Sequence, residues 1–197
     1  MRVAAIVLAA GMSTRMGSNK LLQEIDGEPL IRRVVRIVAE SRARPIMAVS
    51  GHEAIDVGRQ LVGLVNGTVY NGDFRDGLGR SIAAGIGGLN MMDECGGALI
   101  VLGDMPAVTS GLIDRLIDAF DPGRGRAICV AAHAGRRGNP VLFARRFFPQ
   151  LMELTGDVGA RQIVAQNDDV VVEVEAGDDG PLVDIDTPDG LAGFLAR

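Results

Sequence analysis

The chain has 197 residues, of which 47% are hydrophobic, and this is enough for one sizeable core. Its formal net charge of −5 argues against nucleic acid and acidic membranes as partners, because both usually require a basic face. The two cysteines, Cys95 and Cys129, lack metal-ligand or redox spacing and are expected to be small buried residues. The apolar run 3–10 is too short to span a bilayer and leads into a glycine loop, so we expect a cytoplasmic protein without a signal peptide.

Strand-like and helix-like segments alternate along the chain. The continuous apolar run 3–8 predicts a first strand that is buried on both faces. Further strands are predicted at 45–49, 67–70, 98–102, 127–132, 140–143, 170–174 and 182–185, with a turn at 135–138. Helices are predicted at 29–41, 52–62, 79–92, about 110–120, 145–154, 158–165 and after 187. This order predicts a three-layer α/β/α sandwich with a mostly parallel, Rossmann-like sheet in a single domain, 1–197.

The segment after the first strand combines small residues with two cations. Small side chains let a ligand approach the backbone closely, and the peptide N–H groups can hold phosphate oxygens. Two cations suit a triphosphate. The spacing fits neither a Walker A loop nor the dinucleotide pattern, and an ordinary strand-to-helix turn with surface cations is the alternative. The residues concerned are Leu8, Ala9, Ala10, Gly11, Arg15 and Lys20.

Carboxylates follow two other predicted strands. Asp104 comes directly after the apolar strand 98–102, and it is a natural ligand for Mg²⁺ because hard cations prefer oxygen donors. Stabilisation of a turn or capping of a helix is the alternative role. Asp184 and Asp186 project to one face of an extended chain, where their repulsion calls for a cation. Asp186 or its neighbour Thr187 could instead cap the last helix.

Three further segments give weaker signals. The glycine-rich stretch 71–81 could offer its backbone and the Ser81 hydroxyl to the edge of a base, or it could be a flexible turn. The tripeptide Gly138-Asn139-Pro140 precedes a strand and could form the wall of an acceptor site. Asp157 and Arg161 lie near a helix start, where capping plus a surface salt bridge explains them equally well.

Together these segments resemble the molybdenum-cofactor nucleotidylyltransferases of the MobA-like NTP transferase family, which share the nucleotide-diphospho-sugar transferase-like fold. The resemblance covers almost the whole chain. It rests on Leu8-Ala-Ala-Gly11 with Arg15 and Lys20, on Leu102-Gly-Asp-Met-Pro106, on Gly138-Asn-Pro140, on Gly156-Asp-Val-Gly-Ala-Arg161 and on Asp184-Ile-Asp-Thr-Pro188. The guanylyl branch of the family usually has two glycines where this chain has Ala10-Gly11, so the resemblance favours CTP.

The resemblance implies an enzyme that transfers CMP from CTP to the terminal phosphate of a phosphorylated pterin acceptor and releases pyrophosphate, with Mg²⁺ as cofactor. It assigns residues 1–110 to nucleotide and metal, and 111–197 to the acceptor. A molybdoenzyme is a possible partner. The implied roles are phosphate binding for Arg15 and Lys20, metal binding for Asp104 with Asp184 or Asp186, base contacts for Asn71, Gly79 and Ser81, and acceptor contacts for Gly138, Asn139, Pro140, Asp157 and Arg161.

Three alternatives stay open at this point. Some relatives of the family are described as flavin- or nicotinamide-dependent oxidoreductases, although this chain has no dinucleotide fingerprint. A non-catalytic module that delivers a nucleotide or cofactor to a partner would keep Lys20 and its loop but show no turnover. A sugar phosphate could replace the pterin as acceptor.

Overall fold

The protein is described by a computed structural model that covers residues 1–13, 18–91, 95–157, 159–183 and 194. Within these residues, strands and helices alternate along the chain. The strands are β1 (Val3–Ala9), β2 (Glu24–Ile25), β3 (Glu28–Pro29), β4 (Ile46–Ser50), β5 (Gly67–Tyr70), β6 (Gly97–Leu102), β7 (Ile128–His133), β8 (Arg136–Ala144) and β9 (Val171–Glu175). The α-helices are α1 (Leu30–Glu40), α2 (Ala54–Leu61), α3 (Leu78–Asn90), α4 (Ser110–Ala119), α5 (Phe148–Met152) and α6 (Arg161–Gln166).

Seven of the strands form one sheet in the order β5-β4-β1-β6-β8-β7-β9, and β2 pairs with β3 in a separate ribbon. β8 runs antiparallel to both of its neighbours, whereas every other pair in the large sheet is parallel. The prediction of a mostly parallel sheet inside an α/β/α sandwich is therefore confirmed. None of the described helices has the length and apolar character needed to cross a bilayer.

The strand order reverses at β1, and this places a crevice at its carboxyl end. β4 follows β1 in the chain and pairs on one side of it, while β6 pairs on the other side. All seven residues of β1 are buried, and alternate side chains enter two separate core layers. In doubly wound sheets the ligand site lies at such a reversal, beyond the carboxyl ends of the strands.

Helix α3 contains several glycines, and two of them are explained by close packing on the sheet. A Cβ at Gly85 would lie 2.6 Å from Ile6 Cγ2, and one at Gly88 would lie 2.6 Å from Val69 Cγ2. These positions let the helix approach the strands more closely than any larger residue would allow. The helix was predicted at 79–92, close to its observed position.

Three local predictions differ from the structure. The predicted turn 135–138 is mostly strand, because β8 begins at Arg136 and the chain reverses at Ala134 and Gly135. Both of these residues have positive φ, of 49° and 75°, which suits a two-residue hairpin. The helix predicted at 158–165 begins only at Arg161. Leu182, where a strand over 182–185 was predicted to begin, ends one turn of 3-10 helix, Gly180–Leu182. Residues 184 and 185 of that predicted strand lie outside the described residues, as does the predicted C-terminal helix apart from position 194.

Candidate active site

The carboxyl ends of β1 and β6 are held side by side. Leu8 is opposite Leu102 in the register, and the next N–H, that of Gly103, donates to the carbonyl oxygen of Leu8 at 2.9 Å. A Cβ at Gly103 would lie 2.7 Å from that same oxygen and 2.9 Å from Ile31 Cδ1. Only glycine fits here without displacing the backbone of β1, and it brings the following residue, Asp104, to the crevice.

Lys20 reaches Asp104 from the other side of this crevice. Its Nζ lies 2.5 Å from Asp104 Oδ2, and the two side chains are only 13% and 17% exposed. Asn19 positions the lysine, because its Oδ1 accepts the N–H of Leu21 at 3.1 Å and so caps the 3-10 turn Lys20–Leu22. The N–H of Lys20 donates to Ser13 Oγ at 3.1 Å, which ties this turn back to the loop after β1.

The ion pair lies in the wall of a cavity of about 400 Å³. Small residues of the loop after β1 form one side, which leaves peptide groups accessible to a ligand. A cation and a carboxylate stand together in a partly enclosed space, where charges interact more strongly than in open water. The predicted nucleotide residues that line this cavity are Leu8, Ala10, Gly11, Lys20, Ser81 and Asp104.

A second cavity, of about 380 Å³, adjoins the first. Leu78, Leu102 and Asp157 line both cavities and form the ridge between them. The predicted acceptor residues Gly138, Asn139 and Arg161 line the second cavity. Its remaining wall is largely apolar, with side chains of Ile82, Ile100, Val130, Val141, Phe143 and Val164. The two spaces together can hold two small molecules in contact.

Two cations of the second cavity differ in availability. Arg137 Nε donates to Glu173 Oε1 and its NH2 donates to Asp168 Oδ1, each at 2.7 Å. These two hydrogen bonds raise the pKa of Arg137 above its ordinary value, and the bond to Glu173 contributes the larger part. Two carboxylates therefore already balance this guanidinium. Arg161 lies exposed in the first turn of α6 and lines the same cavity.

Four predicted site residues are buried beside the cavities and are not among their described lining residues: Ala9, Asn71, Gly79 and Pro140. The N–H of Gly79 donates to Gly156 O at 2.8 Å, and a Cβ on Gly79 would lie 2.8 Å from Thr155 N. Gly79 therefore allows the start of α3 to pack on 155–157. This packing holds Asp157 at the ridge.

Three other predicted residues, Arg15, Asp184 and Asp186, lie outside the described residues. The segment that precedes Asp184 and Asp186 in the sequence nevertheless packs near the site. A Cβ at Gly180 would lie 2.8 Å from Ala107 O, and one at Gly138 would collide with Pro181 O. The turn Gly180–Leu182 thus packs between β8 and the loop that follows Asp104. In the part of the chain that the structure describes, no three His, Cys, Asp or Glu side chains are grouped to hold a metal ion.

Several lining residues were not predicted. Met12, Ser13, Phe74, Arg75, Gly77 and Leu78 also line the first cavity. Arg75 adds a further cation, with its Cζ 5.7 Å from the centre of the Phe74 ring. Phe74 packs on Gly51, the residue after β4, since a Cβ at Gly51 would lie 2.7 Å from Phe74 Cβ. The sequence did offer a signal for Arg75, because an arginine inside a glycine-rich loop after a strand is a candidate ligand contact and this one lies within the stretch 71–81.

A doubly wound sheet that carries a lysine–carboxylate pair in the wall of one of two adjoining cavities suits a nucleotidyltransferase. The chain matches the MobA-like NTP transferase domain over residues 5–170, and it belongs to that family. This confirms the family resemblance found in the sequence.

Relatives match almost the whole chain, and solved structures share its fold. The purine catabolism protein PucB of Bacillus subtilis is 28% identical over 93% of this chain and 91% of its own length. The molybdenum cofactor cytidylyltransferase of Escherichia coli is 25% identical over the same shares of the two chains. Rv0371c of Mycobacterium tuberculosis superposes with a TM-score of 0.85 at 24% identity, covering 100% of both chains, and so shares the fold. A second structure of Rv0371c is described as a complex with manganese, with a TM-score of 0.79, 22% identity and 100% coverage of both chains.

Proposed function

We propose that this nucleotidyltransferase transfers CMP from CTP to the terminal phosphate of a molybdopterin-type cofactor and releases pyrophosphate. One observation carries the proposal: Lys20 and Asp104 meet in the wall of a cavity that shares a ridge with a second, more apolar cavity. The relative named as a molybdenum cofactor cytidylyltransferase, which matches 93% of this chain, supports the choice of substrates.

The triphosphate of CTP is assigned to the first cavity. Lys20 supplies a cation from inside the wall, and Arg75 supplies another at its edge. Peptide N–H groups around Ala10 and Gly11 are accessible because neither residue has a bulky side chain, and such groups bind phosphate oxygens well. Arg15, in the same loop of the sequence, is proposed as a further phosphate ligand.

Asp104 is the proposed ligand for a divalent cation, and its surroundings fit that role. Its Oδ2 already holds a cation, the Lys20 ammonium, so this position favours positive charge. Mg²⁺ usually keeps several waters and binds through one or two carboxylates plus substrate phosphates, so a dedicated cluster of side chains is unnecessary. We assign Asp184 or Asp186 as the second carboxylate. A divalent cation bound there would supply positive charge beside the phosphate oxygens.

The second cavity is assigned to the acceptor. Its wall of Ile100, Val130 and Phe143 suits a flat organic ring, and Asn139 can hydrogen-bond to polar groups on that ring. Arg161 is the cation proposed for the acceptor phosphate, because Arg137 is already paired with two carboxylates. Asp157, on the ridge, would lie between the two substrates.

The reaction needs positioning more than proton transfer. An oxygen of the acceptor phosphate forms a bond to the α-phosphorus of CTP, and the bond from that phosphorus to the bridging oxygen breaks, so that pyrophosphate leaves. The acceptor phosphate is already ionised at neutral pH, so no general base is required. The chain holds two anions next to each other, and Lys20 stabilises the charge that builds up on the pyrophosphate. Removal of one such electrostatic contact typically costs on the order of 3–4 kcal/mol in the barrier.

A pyrophosphate-release panel tests the proposal. The purified protein is incubated with Mg²⁺ and each of CTP, GTP, ATP and UTP, with molybdopterin, with a sugar phosphate or with no acceptor. We expect release only with CTP and molybdopterin, and loss of release in the Asp104→Asn variant. Release with a sugar phosphate would reject the pterin assignment. Nucleotide binding without release under every condition would identify a binding module in place of an enzyme.

A further inference from the structure

A buried hydrogen bond links Asn71 to Ser81 beneath the first cavity. Asn71 follows β5 and Ser81 lies in the first turns of α3, and each residue is only 5% exposed. Asn71 Nδ2 lies 3.1 Å from Ser81 Oγ. Ser81 lines the cavity, whereas Asn71 is not among its described lining residues, so the asparagine meets a ligand only through the serine.

The direction of this hydrogen bond is fixed by a backbone contact. The N–H of Asp73 points at the other end of the amide group and donates to Asn71 Oδ1 at 3.0 Å. A backbone N–H can only donate, so the atom that faces it must be the oxygen. The atom that faces Ser81 is therefore the NH₂ group, which also can only donate. Ser81 Oγ must accept.

The Ser81 hydroxyl is consequently oriented. It accepts from Asn71 and has one hydrogen left to donate, and the described residues offer no acceptor for that hydrogen. Because the residue lines the cavity, the free direction is toward a bound ligand. The hydroxyl therefore presents its hydrogen to the ligand, and the hydrogen bond from Asn71 fixes this orientation.

We propose that Asn71 is a positioning residue for base selection, which sets the Ser81 hydroxyl as a hydrogen-bond donor toward the nucleobase. Cytosine presents two neighbouring acceptors, O2 and N3, where guanine presents the donors N2 and N1, and the one acceptor on that edge of guanine, O6, takes the place of the cytosine amino group. A hydroxyl fixed as a donor therefore favours CTP over GTP. The inference rests on the proposed function, and it explains base preference through a residue that does not touch the base.

Asn71→Asp is the sharp test, because it reverses the polarity of the hydroxyl without changing its position. The carboxylate keeps the bond from the N–H of Asp73, but its second oxygen can only accept. Ser81 must then donate to residue 71 and present only lone pairs to the cavity. The new negative charge will weaken binding of every triphosphate, so the ratio of CTP affinity to GTP affinity is the informative quantity.

Equilibrium binding of CTP and GTP is measured by calorimetry with Mg²⁺ and no acceptor. We expect the CTP/GTP affinity ratio to fall about ten-fold in Asn71→Asp, since the Ser81 oxygen, then only an acceptor, is left facing an acceptor of cytosine. Asn71→Ala, which frees the hydroxyl to rotate, should give an intermediate ratio and serves if the aspartate variant does not fold. Asn66→Asp adds the same charge at an exposed position and should leave the ratio unchanged.

The Ser81→Ala background separates this role from a structural one. If Asn71 acts through the hydroxyl, adding Asn71→Asp to Ser81→Ala should not change the ratio further. A folded Asn71→Asp protein with the wild-type ratio would overturn the inference and leave the proposed function standing. If the wild-type protein bound no nucleoside triphosphate, the inference and the proposed function would both fall.

Discussion

The ammonium of Lys20 and the carboxylate of Asp104 lie 2.5 Å apart, although 84 positions separate them in the sequence. Lys20 arrives from the loop after β1 and Asp104 from the end of β6, and these two strands are neighbours in the sheet. Lys20 is also the only lysine of the chain, whose other nineteen basic residues are arginines. The pair keeps two shielded charges balanced, so removal of either partner changes the electrostatics of the whole cavity.

Removal of the Lys20 cation should weaken triphosphate binding more than monophosphate binding. We expect Lys20→Ala to lose about 2–3 kcal/mol of affinity for CTP and much less for CMP, because hydrogen bonds to charged groups are worth about that much. Calorimetry with both nucleotides measures the difference. Arg59→Ala removes an equal charge from an exposed pair on α2 and should affect neither ligand. Equal losses for CTP and CMP would argue that Lys20 does not bind the outer phosphates.

Replacement of the carboxylate should stop turnover and leave the fold intact. Asp104→Asn keeps the shape of the side chain but removes the charge, and we expect turnover to fall by about 10²–10³-fold at saturating Mg²⁺. Pyrophosphate release measures the rate, and circular dichroism checks the fold. Asp118→Asn, on the exposed face of α4, is the matched control. Wild-type turnover in Asp104→Asn would remove this carboxylate from the mechanism.

Because the chain has a single lysine, chemical modification of that residue can report directly on the first cavity. An amine-reactive reagent can acylate only Lys20 and the terminal amino group, so mass spectrometry can follow the two sites separately. We expect CTP to slow acylation of Lys20 by at least about ten-fold and to leave the terminus unaffected, because a bound triphosphate shields the ammonium. Asp104→Asn should speed the reaction in the absence of nucleotide. Acylation of Lys20 that CTP does not change would place the triphosphate elsewhere.

Two glycines of one helix should respond to alanine with opposite signs. Gly85→Ala puts a methyl group 2.6 Å from Ile6 Cγ2, and we expect a loss of about 1–3 kcal/mol from overpacking. Gly87 has open space around its Cβ position, so Gly87→Ala should gain about 0.5–1 kcal/mol of helix stability. Urea unfolding of both variants gives the two free energies. Equal effects would show that α3 does not pack on β1 as described.

Sequence patterns predicted the sheet well because burial acts on whole segments. The continuous apolar run of β1 requires cover on both faces, and strands such as β5 were predicted with their observed bounds. Glycines were harder to interpret. Gly138 looked like part of a turn, but it lies in β8 and its backbone packs against Pro181 O. The close packing of Gly79 against Thr155 was not predicted either. Such contacts join segments far apart in the chain, and local patterns do not reveal them.

The buried thiol of Cys129 should make stability fall at alkaline pH. Burial raises the pKa of Cys129 to about 11, despite an opposing effect of the Arg126 charge. In the unfolded chain a cysteine has a pKa of about 8.5, so the folded state binds the proton more tightly. A thiol pKa that is higher in the folded than in the unfolded state stabilises the fold. This contribution is complete at pH values below the pKa of the unfolded chain, and it is lost as the pH rises through the pKa of the folded protein. We expect a loss of about 3 kcal/mol between pH 8.5 and 11 from this group.

Cys129→Ala isolates the effect, because all other alkaline titrations are common to the two proteins. Urea unfolding is measured for both at a series of pH values from 7 to 11. At pH 7 the variant should be less stable, since it leaves a small cavity in a packed layer. This deficit in stability should shrink as the pH rises, because ionising a buried thiol costs free energy only in the wild-type protein. A deficit that stays constant across the range would show that the thiol titrates at its ordinary pKa in the folded protein.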